Sequence, residues 1–330
     1  MNWRTKIGEI EIPVNIDHKT NLLLLGSCFS DAMGQQFLDA KFIANSNPFG
    51  IIFNPLSIAK LFSKEDHLDE HIVKSNQLYY HLDTHSMIKG ETREGLKNTL
   101  FQMKSIFDMQ VEKSDVIFIT LGTAFVYEYL TTRKIIANCH KLPSQDFSKQ
   151  LLNVEEIVTS FNDVVRKYPT KQFIFTVSPV RHTKEGLSDN MLSKSILRVA
   201  CAEFAKITNV YYFPSYEIML DDLRDYRFYK DDLIHISNQG EKYIWEKVKG
   251  TFFSEGTLQL IERIEKIQRK MAHRPFNPNA ESHLTFLEKT LDDLNHLLHK
   301  VDVQYEIEIV RQQISAITLE RDSDDKTVGR

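Results

Sequence analysis

The chain has few cysteines, no excess of charge and no long apolar run, and each of these absences removes a class of protein. Its three cysteines, Cys28, Cys139 and Cys201, are odd in number and widely spaced. That is not a disulfide framework, and it points to a reducing compartment in which each thiol needs its own explanation. Subtracting 45 acidic from 41 basic residues leaves −4, too balanced for a nucleic-acid backbone or an anionic membrane surface as the main partner. No stretch approaches the roughly 18 apolar residues of a membrane span. The first residues mix charges and hold no apolar run of signal-peptide length, so a cytoplasmic location is expected. What is present is ordinary: 42% hydrophobic and 26% charged residues in 330 exclude collagen-like and disordered chains. At about 150 residues per domain the length allows roughly two units.

Short apolar runs bounded by turn residues recur at 22–25, 41–44, 116–121, 173–177 and 210–213. Their continuous apolar character fits strands buried on both faces of a parallel sheet. Helical patterns are expected between them, near 31–39, 94–109, 154–167 and 189–206, the last with Met191, Leu192, Ile196, Val199 and Ala200 at helical spacing. Alternating strands and helices predict a three-layer α/β/α sandwich on a five-stranded parallel sheet, with right-handed crossovers. Ligands then bind outside the carboxyl ends of the strands. From residue 256 strands cease, and charged amphipathic patterns at 258–271, 281–300 and 304–317 predict a helical extension. We therefore expect an α/β domain over residues 1–255 and a helical extension over 256–330, the latter a surface for homo-oligomer contacts. The polar tail at 321–330 is expected to fray.

Two local patterns carry chemistry. In the first, the run Leu22-Leu23-Leu24-Leu25 enters Gly26-Ser27-Cys28-Phe29-Ser30-Asp31, a strand passing through a tight turn into a helix. A nucleophile there sits where free helical N–H groups favour negative charge; such a place lowers a thiol's pKa and can hold an oxyanion. The alternative is plain: Ser27 caps the helix and Cys28 is a small core residue. In the second, Asp232 and His235 are three residues apart before Ser237 and Asn238. That spacing in a turn lets the carboxylate orient the imidazole as a general base, or it marks a solvated loop.

Five ordered blocks, Gly26-Ser27-Cys28-Phe29-Ser30, Asn47-Pro48-Phe49-Gly50-Ile51-Ile52-Phe53-Asn54-Pro55, Thr120-Leu121-Gly122-Thr123-Ala124, Asn138-Cys139-His140-Lys141 and Asp232 with His235, together resemble the GSCFA-domain family, a branch of the SGNH or GDSL-like hydrolase superfamily. The resemblance covers about residues 21–253. It implies a flavodoxin-like fold and acyl transfer through a nucleophile, His and Asp. The superfamily's first block is Gly-Asp-Ser, so Gly26 aligned with that glycine puts Ser27 at the aspartate position and Cys28 at the nucleophile. The nucleophile is then the Cys28 thiolate, or Ser27 from a shifted register. The same resemblance makes Gly50 an oxyanion N–H donor. At the third block Gly122 is kept, while the superfamily's two amide-bearing positions are Thr123 and Ala124. Asn138 becomes the substitute oxyanion donor, and His140 and Lys141 substrate contacts. Without the resemblance, residues 138–141 read as a polar turn.

Arg181 and His182 follow the fourth expected strand and would line the same cleft toward an anionic or sugar part of a substrate; an ion-pair role for Arg181 is the alternative. His67 with His71, His81 with His85, and His296 with His299 have helical-face spacing but no third ligand, so no metal is expected, nor any cofactor. The expected activity is an acyl-ester hydrolase or acyltransferase acting on a small-molecule or carbohydrate ester. The rival is a catalytically inactive scaffold acting through its helical extension.

Overall fold

The computed structural model describes residues 5–63 and 70–328, which form two compact units. In chain order the elements are β1 (Asn21–Gly26), α1 (Cys28–Asp39), β2 (Ile43–Ser46), α2 (Pro55–Leu61), β3 (Ile72–Ser75), β4 (Leu78–His81), β5 (Lys89–Gly90), α3 (Arg93–Lys113), β6 (Val116–Leu121), β7 (Phe125–Tyr129), β8 (Lys134–Ile136), β9 (Phe147–Leu151), α4 (Val154–Lys167), β10 (Gln172–Val177), α5 (Leu187–Phe204), β11 (Val210–Tyr212), the single turn α6 (Ser215–Glu217), α7 (Asn238–Phe252), α8 (Glu255–Met271), α9 (Glu281–Leu297) and α10 (Gln304–Val328).

The first unit is built on the five-stranded parallel sheet β2-β1-β6-β10-β11. Strand side chains alternate between faces, and here both faces are covered, which is why the strands read as unbroken apolar runs. Leu23, Leu25, Ile117, Ile119, Phe173 and Phe175 pack into a core shared with Phe107 of α3, Phe161 of α4, and Leu197 and Phe204 of α5. On the other face Phe118 meets Phe37 of α1 at 5.8 Å and Phe252 of α7 at 5.6 Å. Each such fully buried side chain contributes about 1.5–3 kcal/mol. The chain runs from β1 outward to β2, then returns to place β6 on the other side of β1. The crevice between the carboxyl ends of β1 and β6 is therefore the switch point where an open α/β sheet binds ligands.

In this unit three details differ from the sequence expectation. The second strand runs Ile43–Ser46 rather than 41–44, because Lys41 turns through a left-handed φ of 65° before the edge strand begins. Two small antiparallel sheets, β3-β4-β5 and β7-β8-β9, had no expected counterpart. The β3–β4 hairpin turns on Asn76 and Gln77 at φ 48° and 68°, two left-handed residues as a type I′ turn requires, without the glycine that usually announces one. The buried face of α5 is Asn190, Ser193, Lys194, Leu197, Ala200, Cys201 and Phe204, while Met191, Leu192 and Val199 are exposed. Of the apolar stripe read from the sequence, Ala200 is buried and Ile196 packs against the core, while the other three members face outward, because the first turns of this helix bury polar groups over the sheet's carboxyl end.

The second unit contains α8, α9 and α10, with a core of Ile264, Ile267, Leu287, Leu294, Leu297, Val303, Ile307 and Val310. Lys270 pairs with Asp293 at 2.5 Å between α8 and α9. The last helix continues to Val328 rather than ending near 317, since neither glycine nor proline interrupts it. Among the described residues, no helix is long and apolar enough to cross a membrane.

Candidate active site at the end of the first strand

Gly26 ends β1 at φ +129°, and this conformation swings the chain into α1. Ser27 N–H donates to Thr120 O at 3.2 Å, tying the turn to β6. Asn47 holds it from the other side: its Oδ1 accepts the Gly26 N–H at 2.8 Å, and its Nδ2 donates to Asp31 Oδ1 at 2.8 Å and to Ser27 O at 3.4 Å. Asn47 is 9% exposed. Asn47→Ala is therefore expected to cost about 1–3 kcal/mol in urea unfolding, because it leaves the Gly26 N–H buried without an acceptor; an unchanged midpoint would contradict that role.

The two nucleophile candidates are treated differently by this turn. Ser27 is buried, its hydroxyl donates to Ser178 Oγ at 2.9 Å beyond β10, and its Oγ accepts the Phe29 N–H at 3.3 Å. Cys28 is half-buried and is the first residue of α1. Burial pushes the Cys28 thiol up and Asp31 adds to this; its own N–H, Lys194 and Lys230 pull it down. The thiol is thus half-buried and less readily ionised than a free one.

Asp232 and His235 are brought together as their spacing implied. His235 Nδ1–H donates to Asp232 Oδ2 at 2.6 Å, and the Ile234 and His235 N–H groups donate to Asp232 Oδ1, each at 2.9 Å. The His235 N–H, the imidazole and the Ile234 N–H hold the Asp232 carboxyl down at about 2. The carboxylate therefore stays ionised and fixes the tautomer that leaves Nε2 as the basic nitrogen. Lys230, whose charge acts on Cys28, donates its N–H to His235 O at 2.8 Å. Among the described residues, neither Ser27 nor Cys28 is hydrogen-bonded to the imidazole.

Arg181 ties two loops together. Its N–H donates to Ile234 O at 3.2 Å and its guanidinium to Leu233 O at 3.1 Å, with the guanidinium carbon 4.0 Å from the Tyr229 ring centroid. It stitches the loop after β10, which carries Ser178, to the loop that carries His235. His182 packs against Phe53 at 5.5 Å and faces Glu185 with Nδ1 2.9 Å from Oε2. Burial lowers His182, against the pull of Glu185.

Gly50, Gly122, Asn138 and His140 each make a hydrogen bond within the fold. Gly50 N–H donates to Asn47 O at 2.7 Å, so it does not point to a ligand; its φ of +73° and the 2.3 Å from a Cβ built there to His85 Cβ explain the glycine. Gly122 N–H donates to Phe53 O at 2.7 Å. Asn138 Oδ1 accepts the His140 N–H at 2.9 Å and closes its own turn, in which His140 and Lys141 adopt φ of 46° and 59°. His140 is buried, stacks on Tyr80 at 5.0 Å and donates Nε2–H to His81 O at 2.8 Å. Of the histidine pairs, His71 Nδ1–H donates to Asp83 Oδ2 at 2.7 Å, His81 Nδ1 accepts the Asp83 N–H at 3.2 Å, and His67 lies outside the described residues.

Two residues central to this geometry were not singled out in the sequence. Ser178 follows β10 as the acceptor of the Ser27 hydroxyl. Lys194 is 1% exposed and donates Nζ–H to Ser178 O at 2.8 Å. A signal for Lys194 existed: it lies three residues before Leu197 and seven before Cys201, on one helical stripe.

The family model described as "GSCFA family" matches residues 21–248, and a second, "GSCFA domain protein, C-terminal domain", matches residues 264–316. Among solved structures, the chain is similar to a carbohydrate esterase family 3 protein from Talaromyces cellulolyticus, with 10% identity and a TM-score of 0.33, over 75% of this chain and 99% of that one. No curated protein matches the chain.

Proposed function

The chain belongs to the GSCFA family, and from that premise we propose that its α/β unit is an acyl-ester hydrolase or acyltransferase in which Cys28 is the nucleophile, His235 the general base and Asp232 the residue that orients His235. The observation that carries this reading is the unequal treatment of the two neighbours at the β1–α1 turn: Ser27 is buried with its hydroxyl on Ser178, whereas Cys28 is only half-buried, at a helix N-terminus. The Asp232–His235 pair stands on a loop that Arg181 ties to the Ser178 segment.

In the first half-reaction His235 Nε2 takes the thiol proton and the Cys28 sulfur bonds to the acyl carbon. The carbonyl oxygen becomes an oxyanion beside the N-terminal N–H groups of α1, among them that of Cys28. The carbon–oxygen bond to the leaving alcohol then breaks, and the alcohol takes its proton from His235. In the second half-reaction water, or an acceptor hydroxyl, gives its proton to His235 and attacks the thioester, and the proton returns to Cys28. His235 begins beyond hydrogen-bonding distance of the thiol, as catalytic pairs often do before substrate closes the site. An acylated carbohydrate or a small acyl ester is the substrate class we assign.

The test is mass spectrometry of the intact protein after brief exposure to a panel of activated acyl esters and acetylated sugars. The expected result is one acyl mass added at Cys28 and released on standing, with free acid or a transferred acyl group as product. Neither turnover nor a Cys28 adduct across the panel would sink the proposal and favour a scaffold role.

A further inference from the structure

Beside the loop that carries His235 the fold leaves a cavity of about 230 Å³, lined among others by Arg181, Met219, Leu220, Leu223, Tyr226 and Tyr229. Its floor is apolar. Met219 and Leu223 are buried, and they belong to a turn of π-helix, Ile218–Asp222, that closes when the Leu223 N–H reaches back to Ile218 O at 3.0 Å; such wide single turns recur at functional sites. The mouth is aromatic: Tyr226 is 65% exposed, and among the described residues its phenol makes no hydrogen bond. The Arg181 guanidinium carbon lies 4.0 Å from the Tyr229 ring centroid and 5.4 Å from that of Tyr226. The other charges at the cavity are paired, Arg224 with Asp221, and Asp225 with Arg227 at 2.9 Å. Among the described residues Arg181 pairs with no carboxylate; it spends one guanidinium N–H on Leu233 O at 3.1 Å, and the fork keeps further donors. Tyr229 is bridged to Ile236, and the Lys230 N–H donates to His235 O at 2.8 Å, so the Tyr229 wall is one side of the hairpin that presents Asp232 and His235.

We propose that this cavity is the subsite for the alcohol half of the ester, and that this alcohol is an anionic sugar whose charge is a carboxylate or a phosphate monoester. A sugar ring has a face of C–H bonds that can cover apolar and aromatic side chains, and an edge of hydroxyls that a free phenol can meet. A guanidinium without a carboxylate attracts an anion and can hold it through two parallel N–H bonds. A plain acyl chain would use the floor and leave the guanidinium without an anion; an inorganic anion would use the guanidinium and leave the floor uncovered. Only a ring that carries a charge uses the floor, the phenol and the guanidinium together. In that place the sugar lies beside the hairpin of His235, the residue that returns the proton to the leaving oxygen. The proposal rests on the reading of this unit as an acyl-transfer enzyme and narrows its substrate class.

Ligands that contain no ester test it. In protein with labelled methionine methyl groups, the Met219 signal, assigned through Met219→Leu, is followed by NMR during titration with glucuronate, glucose 6-phosphate, glucose and hexanoate. Glucuronate or glucose 6-phosphate should shift Met219 with a dissociation constant on the order of 1 mM, and the tighter of the two identifies the anion. Glucose, which lacks the charge, and hexanoate, which lacks the ring, should each bind about tenfold more weakly or worse. Arg181→Gln should bring the charged sugar to the level of glucose, and Tyr226→Ala should weaken both sugars by about threefold. No shift of Met219 by either charged sugar up to about 20 mM, glucose or hexanoate binding as tightly as the charged sugars, or unchanged binding in folded Arg181→Gln overturns the proposal. Should Arg181→Gln disturb the fold, Tyr226→Ala decides, because its exposed ring can be removed without touching the tie between the loops, and unchanged binding there overturns the proposal as well. No acyl group enters the titration, so loss of this subsite is seen separately from loss of the acyl-transfer reading, which is read from the Cys28 adduct.

Discussion

Cys28→Ala should lower ester turnover by about ten-thousandfold without unfolding the protein, and Ser27→Ala by no more than about tenfold. The contrast follows from the turn. In the proposed mechanism Cys28 bonds to the acyl group, so its removal takes the whole covalent route with it. Ser27 holds Phe29 N–H and Ser178 in place, and its loss loosens a support. His235→Ala should match Cys28→Ala, and the double variant should be little worse, since residues acting as one unit are not additive. Initial rates with an activated acyl ester, with circular dichroism to confirm folding, make the comparison. The opposite ranking, with Ser27→Ala inactive and Cys28→Ala active, would reassign the nucleophile. A thiol pushed up by burial and Asp31 also predicts the sign of a pH response: the thiolate fraction, and with it alkylation at Cys28, rises later into the alkaline range than for a free thiol such as a small-molecule standard.

Gly26→Ala should destabilise the protein by about 2–6 kcal/mol, enough to unfold many domains of this size. Two costs add. A Cβ at this position would lie 2.1 Å from the backbone oxygen of Thr120, and the φ of +129° strains any residue with a side chain. The opposing atom is backbone in the central strand β6, which cannot rotate away as a flexible side chain would. Urea unfolding by fluorescence measures the loss; a change below about 1 kcal/mol would mean that the turn relaxes freely and does not hold Cys28 at a set position.

Much of the frame was legible before any coordinates. The runs at 116–121 and 173–177 are strands because burial on both faces demands unbroken apolar sequence, and the helix at 154–167 lies where its pattern places it, capped by Asn153 and Glu156. The edge strand and the two small sheets were harder to see. Ile43–Ser46 pairs with a neighbour on one side only and alternates half-exposed residues, and β3-β4-β5 and β7-β8-β9 consist of two- to five-residue strands, too short for a period to show in the sequence. The site divides in the same way. Asp232 and His235 are local, three residues apart in one turn, and their bond could be anticipated. That the Gly50 and Gly122 N–H groups are taken up by Asn47 O and Phe53 O could not be, because whether an N–H is free depends on which carbonyl the fold brings to it.

Local order therefore came from the chain itself: a parallel sheet, a strand that runs into a helix at Gly26, a thiol at that helix's first residue, and a carboxylate–imidazole pair. Proximity came from the fold. Ser27 and Ser178 are 151 residues apart in the chain, and Lys194 reads as one more charged residue in an amphipathic helix until the sheet closes over it. A lysine's ionisation, a serine's partner and a thiol's accessibility are all set by what excludes water from them, and the linear order of residues does not contain that information.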